Sequence, residues 1–530
     1  MLFVLTVLFS ILAPCTPLNI LVYSPSFAAS HTNYMARLAD TLTEAGHNVT
    51  FFMPIMDEKT RNQLGVKLTK DVVVLEKDST IKQQETSINK NSAEFWTVDV
   101  TSKNGRMLFE TLAHGILLNC ENVFKNKEVL ENLRSRNFDV GIAEPTMSSG
   151  FALFRHLGIE KVVMASSCPN YDVAMHALGE PAETSYVPAI FSGVSGDRME
   201  FADRLENHDI YHLMVQVCSE MLDQEARIFR SYLGSEFPDW RELFSDASLH
   251  FTNSILYLDF PRPAIQKTIN IGGISVDVEK IQSEKLSEDW NEILDERPKN
   301  MFLSFGSLAK SSEMPIEYKK NLVEVFKSLP NVTFIWKYET DNVKFAEGVE
   351  NVRFVKWAPQ TALLHDPRLT AFLGHGGLGS TFEAAFLGKP AIMVPIFWDQ
   401  TRNSHMLSRL NMTITLHKSE LGNLKTLRNA FEEILGNEKY KKNAERVAET
   451  IRNQPVQPKE KVVKYIEFVG RYGPFHHMTP YSLKMPWFQR YCYDVYLYKL
   501  ILYTLPVLFQ TVKDSKTAPA GGSRIQSLSY

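Results

Sequence analysis

At 530 residues the chain is too long for a single hydrophobic core, and 44% hydrophobic with 22% charged residues is the make-up of an ordinary globular protein of two or three domains. The formal net charge of -4 and a pI near 6.4 exclude the basic field that nucleic-acid binders use, so a phosphate-bearing ligand would have to be held by local geometry.

The N-terminus, MLFVLTVLFSILAPC, is an apolar run of signal-peptide length without a basic leader, and residues 1–16 are expected to be removed in the secretory pathway. Sequons at Asn48, Asn331 and Asn411 fit that compartment. Cys15 lies at the cleavage region and Cys492 near the C-terminal apolar segment. Cys120, Cys168 and Cys218 remain, an odd number that implies no complete disulfide framework.

LNILVYSPSF then reads as a strand and its loop, and SHTNYMARLADTLTEAGH as an amphipathic helix with Met35, Leu38, Leu42 and Ala45 on one face, capped by Ser30 and ended by Gly46. NVTFFMPI, FDVGIAEP and KVVMASS continue the alternation of strand and helix, and residues 197 to 240 turn helical and Phe-rich. A second start follows Phe260: the strands MFLSFGS, VTFIWKY and VRFVKW lead to a further unit with apolar runs at Leu369–Leu373 and Pro390–Phe397. The expected architecture is α/β, two domains with parallel sheets at 17–265 and 266–450, facing a cleft at the carboxyl ends of their strands. A helical, membrane-proximal segment would follow at 451–493. Residues 494–512 approach the ~20 residues a membrane span needs, although Lys499 and Pro506 interrupt them, and 513–530 would be a short basic tail.

Polar groups gather between Trp357 and Gln400, in WAPQTALLHDPRLTAFLGHGGLGSTFEAAFLGKPAIMVPIFWDQ. Gly376, Gly377 and Gly379 allow close backbone approach just before a helix expected to start near Ser380, a geometry that suits a diphosphate on free amides and the helix dipole. The spacing of Ser380 and Glu383, S-x-x-E, is equally that of a capping box needing no ligand. A ring (Trp357), an amide (Gln360), an anion seat and two hydroxyl-binding groups (Asp399 and Gln400) come in the order a nucleotide sugar would meet them.

KWAPQ, LLHDP, FLGHGG, STFEAAFLGKP and WDQ, with NSILYLDFPRP and LSFGS, resemble the signature of family 1 UDP-glycosyltransferases, in particular the membrane-bound animal UDP-glucuronosyltransferases. The resemblance covers nearly the whole chain. It implies the GT-B fold, two Rossmann-like domains facing a cleft, with acceptor in the first and UDP-sugar in the second, and a C-terminal transmembrane helix. Carried over residue by residue, it makes Trp357 the platform for uracil and Gln360 and Glu383 the ribose and uracil contacts. Ser307, Ser380 and His375, with the three glycines, would contact the diphosphate, and Asp399 and Gln400 the sugar hydroxyls. His31 would be the catalytic base and Glu144 the carboxylate that orients it.

The resemblance implies inverting transfer of a hexose or hexuronic acid from UDP-glucuronate or UDP-glucose to a hydroxyl of a small lipophilic acceptor, with no cofactor beyond the UDP-sugar co-substrate and no metal. No Asp-x-Asp is present, and His476 with His477 reads as a solvated pair. The expected setting is the endoplasmic reticulum membrane, single-pass type I with lumenal catalytic domains; oligomerisation is left open.

Three residues depart from the family pattern. Glu144 stands where the family has Asp, Gly379 where many members carry Asn, and Thr252 where glucuronate-using members usually carry Arg, which makes UDP-glucose at least an equal candidate donor. A nicotinamide or flavin oxidoreductase is disfavoured because SPSFAASH has no GxGxxG. A non-catalytic UDP-sugar-binding relative is the alternative that Glu144 and Gly379 keep open.

Overall fold

In the computed structural model, residues 16–56, 61–77, 93–98, 103–307 and 309–517 are described. The expected signal peptide falls, but for Thr16, outside them.

Thirteen strands in the described residues form two wholly parallel sheets. The first contains β1 (Asn19–Tyr23), β2 (Asn48–Pro54), β3 (Asp71–Leu75), β4 (Val140–Ala143), β5 (Val162–Ser166), β6 (Leu249–Thr252) and β7 (Thr268–Asn270), in the order 3-2-1-4-5-6-7. The second contains β8 (Lys299–Ser304), β9 (Val332–Lys337), β10 (Val352–Val355), β11 (Leu369–Gly374), β12 (Ala391–Met393) and β13 (Thr413–Thr415), in the order 10-9-8-11-12-13. The two orders are the same winding, and each reverses beside its first strand: between β1 and β4, and between β8 and β11. Ligands of open α/β sheets bind at such reversals, outside the carboxyl ends of the strands.

The central strands are largely apolar runs because both faces of each sheet are covered there. In β1, Leu21 and Tyr23 pack into one hydrophobic cluster and Ile20 and Val22 into another. In β8, Met301 and Leu303 face one cluster and Phe302 the other.

The helices that matter for the site are α1 (Ala29–Glu44), α2 (Ser149–Leu157), α3 (Phe201–Leu233), α4 (Gln360–His365), α5 (Leu378–Phe386), α6 (Gln400–Ser408) and α7 (Pro458–Tyr472). α1 buries Met35, Leu38, Ala39 and Leu42, an i, i+3, i+4, i+7 face. Its N-cap is Ala28, in extended conformation without a side-chain cap, so Ser30 lies inside the first turn instead of capping it.

The domain limits differ from those expected. The first sheet runs past residue 265 to Asn270, because β7 pairs in parallel with β6. α7, expected in a separate segment after 450, returns to the first sheet: its Val462, Ile466 and Val469 join the cluster of Ile20 and Val22. Residues 94–98 cross the other way, with Trp96 packed among Met301, Leu303 and Phe305 and its indole N–H donating to Lys310 O at 3.1 Å. Residues up to Thr479 accordingly form one compact unit.

Residues 480–530 form a second unit. It holds the helix α8 (Tyr493–Thr517), in which Tyr493–Lys513 has mean hydropathy 1.4, has no buried portion, and is long and apolar enough to cross a membrane.

Candidate active site

The first sheet's reversal point carries a histidine–carboxylate pair. His31 sits in the first turn of α1, after β1, and Glu144 directly follows β4, so adjacent parallel strands bring together residues 113 positions apart. His31 Nδ1 lies 2.9 Å from Glu144 Oε2 and 3.0 Å from Ser167 Oγ, while Ser167 N–H donates to Glu144 Oε1 at 3.0 Å. The longer Glu side chain therefore spans the distance to the imidazole and also caps the end of β5. Burial alone would push the imidazole pKa down, but the charge and hydrogen bond of Glu144, and more weakly the charge of Asp399, hold it above its ordinary value. Burial pushes Glu144 up, and the charge and hydrogen bond of His31 with the Ser167 bonds bring it below the usual carboxylate range. With Nδ1 held on a carboxylate, Nε2 is the nitrogen left for proton transfer.

The second reversal point carries His375 and the glycines. A Cβ on Gly306 would come within 2.7 Å of the His375 ring and one on Gly377 within 2.5 Å, so both glycines are required for the ring to lie between the loops after β8 and β11. Gly306 also has φ +83, and its carbonyl accepts from Lys337 Nζ at 2.7 Å. Burial, and secondarily the Lys337 charge, lower the His375 pKa to about 4, so the ring is neutral near pH 7 and acts as a hydrogen-bond donor without formal charge. Ser307 follows, exposed. Gly379 has nothing within 4 Å of a Cβ, so the space beside it is open.

The expected capping box is absent. α5 begins at Leu378 with Gly377 as N-cap and no side-chain cap, which leaves its first amides open. Ser380 and Glu383 instead meet Gln360 at the start of α4, whose Nε2 donates to Ser380 Oγ at 3.0 Å and to Glu383 Oε2 at 2.6 Å. Burial raises the Glu383 pKa, partly offset by that amide. Beyond β10, Trp357 is 71% exposed, so it is a free aromatic surface and not a core residue.

The apolar run expected to continue to Phe397 stops pairing at Met393. The chain then turns through Trp398 at φ 55, a left-handed conformation that a bulky residue rarely adopts, directly before Asp399. Asp399 Oδ2 accepts from Asn403 Nδ2 at 2.8 Å; burial raises its pKa, and the Asn403 bond and the charge of His31 lower it. Gln400 is divided in use: its side-chain carbonyl accepts from Ile396 N–H at 2.9 Å and Phe397 N–H at 3.1 Å, bracing the loop that presents Asp399.

Thr252 is fully buried, with its hydroxyl donating to Asn270 Oδ1 at 2.8 Å. The bond joins the carboxyl ends of β6 and β7.

Three elements escaped the motif reading. Ser167 joins the His31 pair from β5, and nothing in KVVMASS marks it. Arg402, two residues after Gln400, is completely buried and joins the halves: its Nη2 donates to Asp259 Oδ1 at 2.7 Å and its Nε to Pro188 O at 3.1 Å. An Arg in an otherwise buried helix face was the available signal. The third is Glu225, from the middle of α3. It is fully buried and accepts from Ser148 N–H at 2.6 Å, Ser148 Oγ at 2.7 Å and Ser149 N–H at 2.9 Å, at the start of α2. α2 follows the fourth strand of the first sheet as α5 follows the fourth strand of the second winding. One helix start is thus filled by the protein's own carboxylate and the other is open.

A family profile described as "UDP-glucoronosyl and UDP-glucosyl transferase" matches residues 19–518. Human UDP-glucuronosyltransferase 1A9 is 26% identical over 491 residues, covering 91% of this chain and 89% of its own. The mouse protein of the same name is 26% identical over 492 residues, covering 91% and 89%. Among solved structures, a UDP-glucosyltransferase from Polygonum tinctorium superposes with TM-score 0.58 at 14% identity, over 87% of this chain and all of that one, and a glycosyltransferase of kitacinnamycin with TM-score 0.56 at 17% identity, over 86% and 99%. With two parallel Rossmann-like sheets, the fold is GT-B.

Proposed function

Since the chain belongs to the UDP-glucoronosyl and UDP-glucosyl transferase family, we propose that it transfers a hexose or hexuronic acid from a UDP-sugar to a hydroxyl of a small lipophilic acceptor, by direct displacement with inversion. The observation that carries this reading is the His31–Glu144 pair at the carboxyl ends of β1 and β4, with Nδ1 held 2.9 Å from the carboxylate.

In this mechanism Nε2 of His31 takes the proton of the acceptor hydroxyl, and Glu144 fixes the tautomer and stabilises the imidazolium that forms. The acceptor oxygen attacks the anomeric carbon as the bond to UDP breaks. The departing diphosphate gains negative charge, which the open amides at the start of α5, Ser307, Ser380 and the neutral His375 stabilise by hydrogen bonding. Gly376, Gly377 and Gly379 let the diphosphate approach the backbone. Asp399 holds sugar hydroxyls, with Gln400 bracing it and contributing its amide end. Gln360 and Glu383 bind the ribose, and Trp357 stacks on uracil. UDP-sugar serves as co-substrate, and no cofactor is assigned.

The exposed indole gives one expected outcome. Trp357→Ala should weaken UDP binding by about 1–3 kcal/mol, the usual worth of base–aromatic stacking, read as the Kd by titration calorimetry. A variant that binds UDP as tightly as the parent would remove Trp357 from the uracil site.

The reading as a whole is tested by incubating the chain with small phenols and UDP-glucose, UDP-glucuronate or UDP-galactose, following UDP release and the anomer of the product. A β-linked product from an α-linked donor is expected. UDP-sugar binding without release in any combination would favour a non-catalytic relative.

We further assign the protein to the endoplasmic reticulum membrane, anchored through the apolar helix Tyr493–Lys513 with the catalytic unit lumenal; the apolar leader supports this setting. Asn48, Asn331 and Asn411 are exposed and sit at or just before the starts of β2, β9 and β13, at the amino ends of the strands and so opposite the carboxyl ends that carry the site. Glycans there would leave the cleft clear.

A further inference from the structure

The first half of the chain holds a small pocket separate from the donor groups and from the His31 pair. Asn170, Asp172, Glu180, Glu183, Pro188 and Arg262 contribute to its wall. Chain geometry ties it to the chemistry. Ser167 Oγ lies 3.0 Å from His31 Nδ1, and Asn170 is three residues further on, so the Cα atoms of Ser167 and Asn170 are at most about 11 Å apart.

The charged groups in the pocket's wall are mostly acidic. Glu180 is buried, pairs with Arg262 and accepts the Thr268 hydroxyl, so that the cation in the wall is already committed. Asp172 accepts Ile190 N–H at 3.0 Å with one carboxylate oxygen, and Glu183 adds a second negative charge. Asn170 is 2% exposed, and its Oδ1 is buried with no hydrogen-bond partner. A buried acceptor left unpaired is unfavourable, so a ligand donor that reaches it is favoured over a group that cannot donate.

The wall is also preformed. Asn207 pins residues 184–189 through Thr184 O at 2.7 Å, Val187 O at 2.9 Å and Ala189 N–H at 2.8 Å, and Arg402 reaches Pro188 O from the helix that follows Asp399.

We propose that this pocket is the distal part of the acceptor site and takes a hydrogen-bond-donating group of the acceptor, an ammonium or a hydroxyl, remote from the hydroxyl that receives the sugar. The assignment to the acceptor rests on the transferase reading above. It narrows the substrate class from lipophilic hydroxyl compounds to those with a second polar end.

The test uses the full chain and three phenols with para side chains of equal length ending in ammonium, hydroxyl or methyl. The ammonium and hydroxyl compounds should exceed the methyl compound in kcat/KM by about tenfold, the value of one satisfied buried acceptor. Asp172→Asn should remove the ammonium compound's advantage and Asn170→Leu the hydroxyl compound's, with circular dichroism confirming that both variants fold. Equal kcat/KM for all three compounds, or an advantage that survives both substitutions, would overturn the proposal. Calorimetric binding of the same compounds to His31→Ala separates the two readings. If none turns over in the parent but the binding order is present and is lost on Asp172→Asn, the pocket stands and the transfer reading falls.

Discussion

His31→Ala should lower kcat by about 10²–10⁴-fold, the usual contribution of a positioned general base, while leaving UDP affinity unchanged. The two effects separate because His31 lies at the reversal point of the first sheet, whereas the groups proposed for UDP lie at the reversal point of the second. The pH profile carries a sharper expectation. The base must be neutral to accept a proton, and its folded-state pKa lies above the ordinary histidine value because the charge and hydrogen bond of Glu144 outweigh burial. Activity should therefore rise with pH through a pKa above that value. In Glu144→Gln the burial effect is left unopposed by that charge, so the acid limb should move to lower pH while the maximal rate falls, since the imidazolium loses its counter-charge. A profile unchanged by Glu144→Gln would show that the pair is not titrating during turnover.

Arg402→Met should destabilise the catalytic unit by about 3–5 kcal/mol, because it leaves Asp259 buried without its cation. The side chains of Arg402 and Asp259 are 0% and 6% exposed. Ser254 Oγ at 2.6 Å and Phe260 N–H at 2.7 Å also bind Asp259, so the carboxylate cannot turn to solvent without breaking further bonds. Denaturant unfolding followed by tryptophan fluorescence measures the loss. Replacing Asp259 by Asn in the same chain should recover part of it, since a neutral amide is cheaper to bury than an unpaired charge. The pair also stands between α6, which begins directly after Asp399, and the segment after β6. Under conditions where Arg402→Met stays folded, kcat should fall further than UDP affinity, because the sugar loop loses its tie to the half that carries His31. Equal stability of parent and variant would mean that water reaches the pair.

Much of the catalytic unit was legible in the sequence because its signals are local. Most strands are largely apolar runs, α1 shows its buried face at helical spacing, and most of the site residues from Trp357 to Gln400 fall at or near element ends. What could not be read depends on contacts between distant segments. Ser380 and Glu383 have capping-box spacing, but the helix begins two residues earlier than expected and both turn to Gln360. The hydrogen bond of Thr252 to Asn270 likewise leaves no mark in the motif beside it. β7 and α7 crossed the expected domain limits because pairing with β6 and packing on Ile20 and Val22 leave no mark in composition.

Glu225 bears on why two sheets of one winding are not interchangeable. Each places a helix after its fourth strand, and each helix start offers free amides to an anion. At α2 the chain supplies that anion itself, from within α3, and buries it. At α5 the cap is a glycine with no side chain to contribute. The tethered carboxylate thus occupies the first seat permanently, and of the two helix starts the one at α5 is left open to an anion from outside the chain.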